Sequence, residues 1–152
     1  MKTKKIEYRG GLITFEIPYV WIEEYEAEDG GMFYEDGPDT GTLRLNVTTF
    51  RAGPNQLLTD AGSLLTSINL TNIEKLSNGN AISIGVSNFE EEGTSLAMRS
   101  WRLCQVIGPD FGRVAIFTYA YLKKLEATNS NRMLLLFLEG SVRNAVFWPS
   151  RS

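Results

Sequence analysis

The sequence predicts an α+β fold, a mainly antiparallel sheet covered by helices, on three observations. Residues 42–50, 81–89 and 94–123 alternate apolar and polar side chains with the period of two that marks half-buried strands. Helical spacing of apolar residues occurs only twice, after Pro54 and after Thr128. The 43% apolar and 22% charged shares are those of an ordinary globular chain, and 152 residues suffice for one core, so residues 1–152 are read as a single domain.

Residues 12–17 alternate well enough for a short strand, which Pro18 ends. Met32, Phe33 and Tyr34 form another short apolar segment. Asp36-Gly37-Pro38-Asp39-Thr40-Gly41 then has the chemistry of a turn: glycine for positive φ, proline to fix φ, aspartate to bond nearby backbone. In the strand that follows, Leu43, Leu45 and Val47 share one face, while Arg44, Asn46, Thr48 and Phe50 share the other. Gly53-Pro54 opens a predicted helix on Leu57, Leu58, Ala61, Leu64, Leu65 and Ile68. Its outer face, Gln56, Thr59, Asp60, Ser63, Thr66 and Ser67, reads as a Ser/Thr-rich solvated surface. Ile82, Ile84 and Val86 next oppose Ser83, Gly85 and Ser87, matching the apolar set of the 42–50 strand. A long hairpin follows, with strands over 94–107 and 113–123 and a turn at Gly108-Pro109-Asp110-Phe111-Gly112. Thr128, Asn129 and Ser130 offer caps for a terminal helix built on Met133, Leu134, Phe137, Leu138 and Val142, with its period continuing through Ala145 and Val146.

Side-chain parity divides the hairpin into two faces. Met98, Val106, Val114 and Ile116 are expected to build a common core with Leu45 and Ile84. Arg99, Trp101, Phe117, Tyr119 and Tyr121 are either a second core layer under the terminal helix or a working surface. If the aromatic set shares a face with Arg44, Asn46, Ser83, Gly85 and Ser87, large rings, cations and small residues mix in the manner of a recognition groove. The expected partner-binding residues are therefore Arg44, Arg99, Trp101, Phe117, Tyr119 and Tyr121.

Several chemistries lack their residues. The chain has no histidine, which removes Ser-His-Asp and Cys-His machinery and the commonest transition-metal ligand. Cys104 stands alone inside a predicted strand, reads as a small buried hydrophobe and has no partner for an internal disulfide. No Gly-rich phosphate fingerprint is present. Glu23, Glu24, Glu26, Glu28 and Asp29, with Glu35, Asp36 and Asp39, lack EF-hand spacing and read as a solvated acidic edge that discourages strand pairing. No catalytic residue, metal or cofactor is expected. A net charge of −3 gives no field to hold a polyanion, so nucleic acid is not an expected partner. The longest apolar run, Met133 to Leu138, is too short to span a bilayer, and no stable membrane insertion is expected. Glu7, Tyr8 and Arg9 interrupt any export signal after the basic start, so the expected location is cytoplasmic and the sequons at Asn46 and Asn69 have no role.

Phe15-Glu16-Ile17-Pro18-Tyr19-Val20-Trp21 resembles the opening strand-proline-tryptophan element of the PsbP-like superfamily, which includes Ran-binding Mog proteins and bacterial DcrB-like domains. The order of elements is similar too, through Ala115-Ile116-Phe117-Thr118-Tyr119-Ala120 and a terminal helix before Ser141-Val142-Arg143-Asn144-Ala145-Val146-Phe147. The resemblance implies an α/β/α sandwich over nearly the whole chain and a non-enzymatic role, since relatives serve as photosystem subunits, nuclear-transport accessories, lipoproteins or chaperones for type VI secretion effectors. The lack of an export signal departs from the lipoprotein and lumenal members. The expected function is thus a cytoplasmic protein-binding or adaptor domain, with an effector chaperone as its narrower form and a homodimer as one way to build the clamp. The alternative is a small-molecule or lipid carrier with an apolar pocket between helix and sheet.

Overall fold

The computed structural model describes residues 1–28, 30–54, 58 and 60–149. Among the described residues, ten strands and two α-helices follow one another as β1 (Thr3–Tyr8), β2 (Ile13–Pro18), β3 (Ile22–Glu26), β4 (Gly30–Tyr34), β5 (Thr42–Arg51), α1 (Ala61–Ser67), β6 (Ile73–Lys75), β7 (Ala81–Glu91), β8 (Thr94–Gly108), β9 (Phe111–Leu122), α2 (Asn129–Arg143) and β10 (Val146–Phe147). The strands form a seven-stranded sheet in the order β3-β4-β5-β9-β8-β7-β6 and a three-stranded sheet in the order β1-β2-β10. Every pairing is antiparallel. The fold is therefore α+β with a mainly antiparallel sheet.

Register explains which residues share a layer, because directly opposed residues of an antiparallel pair point to the same face. Leu45 faces Phe117, Phe117 faces Trp101, and Trp101 faces Ile84. This face packs against Ile6, Ile13, Phe15 and Ile17 of the small sheet and Leu135, Leu138 and Val142 of α2, forming the larger core. Phe15 sets its ring edge-on between Phe33 and Phe117, with centroids 5.4 and 5.1 Å away. The opposite face carries Ala81, Cys104, Val106 and Val114, which pack with Ala61, Leu64 and Leu65 of α1 in a second cluster.

The expected common core is corrected by this register. Val106 and Val114 lie under α1, Ile116 is exposed on the same side, and none of them packs with Leu45 or Ile84. Apolar character alone does not say which face of a doubly covered strand meets which layer; the pairing does.

Three boundaries also differ. The first helix begins at Ala61 rather than Pro54, because Asp60 is its cap: the backbone N–H of Ser63 donates to Asp60 Oδ1 at 2.8 Å. Leu57 and the outer-face residues Gln56 and Thr59 lie outside the described residues. The terminal helix stops at Arg143, where Asn144 caps it, and Val146 and Phe147 pair with Thr14 and Ile13 instead of continuing the helical period. Finally, the basic start forms β1, and part of the acidic run forms β3 at the edge of the larger sheet with Glu23, Glu24 and Glu26 exposed.

Candidate functional site

Helix α2 is the element that organises the accessible surface. Thr128 starts it, accepting from the Asn131 N–H at 3.3 Å and donating its own hydroxyl to the Leu125 carbonyl at 2.7 Å. The run Met133 to Leu138 is apolar on every side, and a helix lying on a sheet can turn only one stripe inward. Leu135, Leu138 and Val142 take that stripe. Met133 and Leu136 are consequently left 56% and 68% exposed, with Leu134 and Phe137 half-buried beside them. Leu136, Phe137 and Gly140 border a groove of about 490 Å³ whose other wall includes Lys5, Phe15 and Val146. Val146 and Trp148 are themselves exposed, so the apolar surface extends beyond the helix.

A smaller pocket of about 260 Å³ lies on the other side of Leu136, lined by Arg99, Arg132, Leu135, Leu136 and Glu139. Strand β8 brings Arg99 there, because Arg99 stands opposite Tyr119 and Val86 on the face that α2 covers. Its Nε is buried and has no hydrogen-bond partner. Glu139 is already engaged: the Trp101 indole N–H donates to Oε1 at 3.3 Å and Arg143 Nε donates to Oε2 at 3.4 Å. Arg143 also donates to Glu74, at 2.8 and 3.1 Å, which holds the Glu74 carboxyl below its ordinary pKa. Among the described residues, neither Arg99 nor Arg132 belongs to an ion pair.

A third concavity of about 390 Å³ lies at the N-terminal end of α2, with Trp21, Tyr119, Tyr121 and Leu134 toward its floor and Glu35 and Asp39 on its rim. Tyr119 lies between the other two rings, 6.2 Å from Trp21 and 5.7 Å from Tyr121, both stacked. Gly41 passes directly over Tyr119, and a Cβ at that position would come within 2.5 Å of the ring. Burial pushes the Tyr119 hydroxyl up to about 12 despite the opposing hydrogen bond from the Gly41 N–H.

Of the six residues expected to form one recognition surface, Arg99, Trp101, Phe117, Tyr119 and Tyr121 share a sheet face and Arg44 does not. Trp101 and Phe117 are 0% exposed, Tyr119 and Tyr121 are 3% exposed, and all four belong to the core. Arg44 projects from the opposite face, opposed to Thr118, and donates to Met32 Sδ at 3.1 Å. Asn46, Ser83, Gly85 and Ser87 go with Arg44 rather than with the rings, since Ser83 faces Arg102 and Asn46 faces Ile116. The mixed groove is thereby corrected to a covered aromatic layer, because a small sheet and α2 cover the ring-bearing face. Of the six, Arg99 lines the small pocket beside Leu136, and the buried Tyr119 and Tyr121 line the concavity at the N-terminal end of α2. Arg132, Glu139, Met133 and Leu136 were missed. For Met133 and Leu136 the signal is the six-residue apolar run, too apolar for a helix covered on one side only, whereas Arg132 and Glu139 carry no such signal.

The other candidate groups serve structure. Glu23 accepts from the Tyr25 hydroxyl at 2.7 Å and pairs with Lys4 at 3.0 Å, and Glu24 accepts from Tyr34 at 2.7 Å. The first of these bonds, with Lys4, draws the Glu23 carboxyl down in pKa. Cys104 is buried under α1, and desolvation raises its thiol to about 12, far from a reactive thiolate. No described helix is long and apolar enough to cross a membrane.

No family model matches this chain, and no curated protein matches it. Solved structures do resemble it. A protein of Bacteroides thetaiotaomicron superposes with a TM-score of 0.61 at 18% identity, over 100% of this chain and 50% of that one, so the present chain spans half the length of that relative. LpqN, described as involved in cell envelope biogenesis of Mycobacterium tuberculosis, superposes with a TM-score of 0.59 at 11% identity, over 95% of this chain and 89% of that one. Cyanobacterial PsbP (CyanoP) from Synechocystis gives a TM-score of 0.46 at 12% identity, over 96% and 92% of the two chains. At these identities the likeness is one of fold.

Proposed function

We propose that this chain is a non-enzymatic, cytoplasmic protein-binding domain that receives an apolar segment of a protein partner on the outer side of α2. One observation carries this reading: the run Met133 to Leu138 of α2, apolar on every side, leaves Met133 and Leu136 in solvent beside the groove formed with Phe137, Gly140 and Val146. A helical run of that composition is stable where both sides are covered. The glycine leaves room for a partner backbone to come close, since nothing lies within 4 Å of a Cβ built at Gly140. A partner helix with apolar residues at every third and fourth position fits the stripe 133, 136, 137 and 140. The narrower role is that of a chaperone shielding such a segment of a secreted effector, and a homodimer would supply a second stripe.

Membership of the PsbP-like superfamily and its α/β/α sandwich belong to the same proposal. The strand-proline-tryptophan element supports both, as does the packing of α1 and α2 in separate clusters on the two faces of the larger sheet. A small-molecule carrier is the second reading, favoured by the aromatic-floored concavity between α2 and the sheet. Native mass spectrometry of the purified protein separates the two, since a carrier retains a small mass.

The direct test is co-expression with the products of adjacent genes, comparing wild type with a Met133→Ser/Leu136→Ser variant by size-exclusion chromatography and light scattering. A stoichiometric complex that the variant loses, with unchanged melting of the free protein, is the expected result. A complex retained by the variant, or none with any neighbour, overturns the proposal.

A further inference from the structure

We infer that Arg99 and Arg132 form a receiving site for a carboxylate carried on an apolar stem, and that this carboxylate is an acidic side chain of the partner segment. The inference deepens the protein-binding proposal and rests on it for the identity of the occupant, although the site itself is tested separately. The first ground is an imbalance. Arg99 and Arg132 both line one pocket, and among the described residues neither has an ion pair. The one carboxylate in the lining, Glu139, already accepts from Trp101 and Arg143.

The second ground is an orphan donor. Arg99 Nε is shielded from solvent with no acceptor, and an unsatisfied buried donor on a charged group is destabilising until an acceptor reaches it. A planar carboxylate is the acceptor a guanidinium fork fits best, with two parallel N–H bonds.

Size and continuity select the source. At about 260 Å³ the pocket is smaller than the roughly 300–1,000 Å³ of small-molecule sites and suits one long side chain. Leu136 lines both this pocket and the apolar groove on the other side of the helix turn, so a segment lying on the groove carries a neighbouring side chain past Arg132. The apolar walls, Leu135 and Leu136, then take the methylenes of a glutamate while the two arginines take its oxygens.

The test uses protein labelled with ¹⁵N at arginine side chains and follows the Arg99 Nε–H resonance during titration with hexanoate, hexanol and inorganic phosphate. Hexanoate is expected to shift that resonance saturably, and Arg132→Gln, a change at an exposed position, is expected to weaken the apparent affinity about tenfold, the loss of one charge-assisted bond. An equal response to hexanol, phosphate binding as tight as hexanoate, or an unchanged affinity in Arg132→Gln overturns the site. If hexanoate fails while Met133→Ser/Leu136→Ser still loses its partner, the anion site falls and the apolar surface stands. If hexanoate binds and no partner complex forms, the arginine site stands and its assigned occupant falls.

Discussion

The Ser141 hydroxyl holds both backbone groups of Glu16, donating to its carbonyl at 2.6 Å and accepting from its N–H at 2.9 Å. Strand β10 pairs with β2 only at Ile13 and Thr14, so the β2 edge would otherwise be open at Glu16. A helix side chain thus finishes the ladder and fixes α2 against the small sheet. Ser141→Ala is expected to lower stability by about 1 kcal/mol, since water replaces part of a half-exposed pair of bonds. Urea denaturation measures it, and an unchanged midpoint would deny the clamp.

Arg44 and Trp101 were both expected at a partner surface, and the structure assigns them opposite consequences on mutation. Trp101→Ala removes a ring with no exposed surface and frees one oxygen of Glu139, for an expected loss of about 3–5 kcal/mol. Arg44→Ala removes an exposed side chain and should cost less than about 0.5 kcal/mol. Paired denaturation curves check both, and a Trp101→Ala protein as stable as wild type would place the ring outside the core. Loss of partner binding in Trp101→Ala therefore reports folding and not contact.

The difference between these two residues marks how far the sequence could be read. Alternation placed the strands of the long hairpin within about two residues and set Ile82 and Leu45 correctly on one face, because period two survives in any half-buried strand. It could not say which face α2 would cover, since both faces of β8 and β9 are apolar. Sheet order decides that, and sheet order rests on pairings between distant segments such as β5 with β9. The small sheet was half legible: β2 alternates, whereas β1 hides in a lysine-rich start. The candidate site was legible only as an excess, six apolar residues where a one-sided helix needs about three or four. Arg132 carries no pattern of its own, and its pairing with Arg99 exists only once α2 lies across β8.

Gly30 offers a test of the close packing between β4 and β5. Its φ of +86° lies in the left-handed region, and a Cβ there would collide with the Leu45 carbonyl oxygen. Gly30→Ala is expected to cost more than about 2 kcal/mol, because the backbone conformation alone costs roughly 1–2 kcal/mol for a residue with a side chain and the collision adds to it. Gly10→Ala is a matched control, since its φ of +73° is similar but nothing lies within 4 Å of its Cβ. The excess of the first loss over the second measures the collision, and equal losses would remove it.

Alkaline pH should destabilise the fold through its buried acids. Desolvation raises Cys104 from 9.0 to about 12 and Tyr119 from 10.0 to about 12, and it raises Tyr121 as well. Each group keeps its proton in the folded state at a pH where the unfolded chain releases it, so the unfolded state binds fewer protons and stability falls as pH rises. The stabilisation is fully present below about pH 8 and is lost progressively from about pH 9 to 12, the interval between the unfolded and folded values. Urea midpoints across that interval should decline steadily. Cys104→Ser does not ionise in this range, so its decline should be shallower than that of wild type, and identical slopes would exclude the thiol as a contributor. The same burial predicts that a thiol reagent labels Cys104 at pH 8 only as fast as the region under α1 opens. Labelling as fast as a free thiol would contradict its place beneath Leu65 and beside Val114.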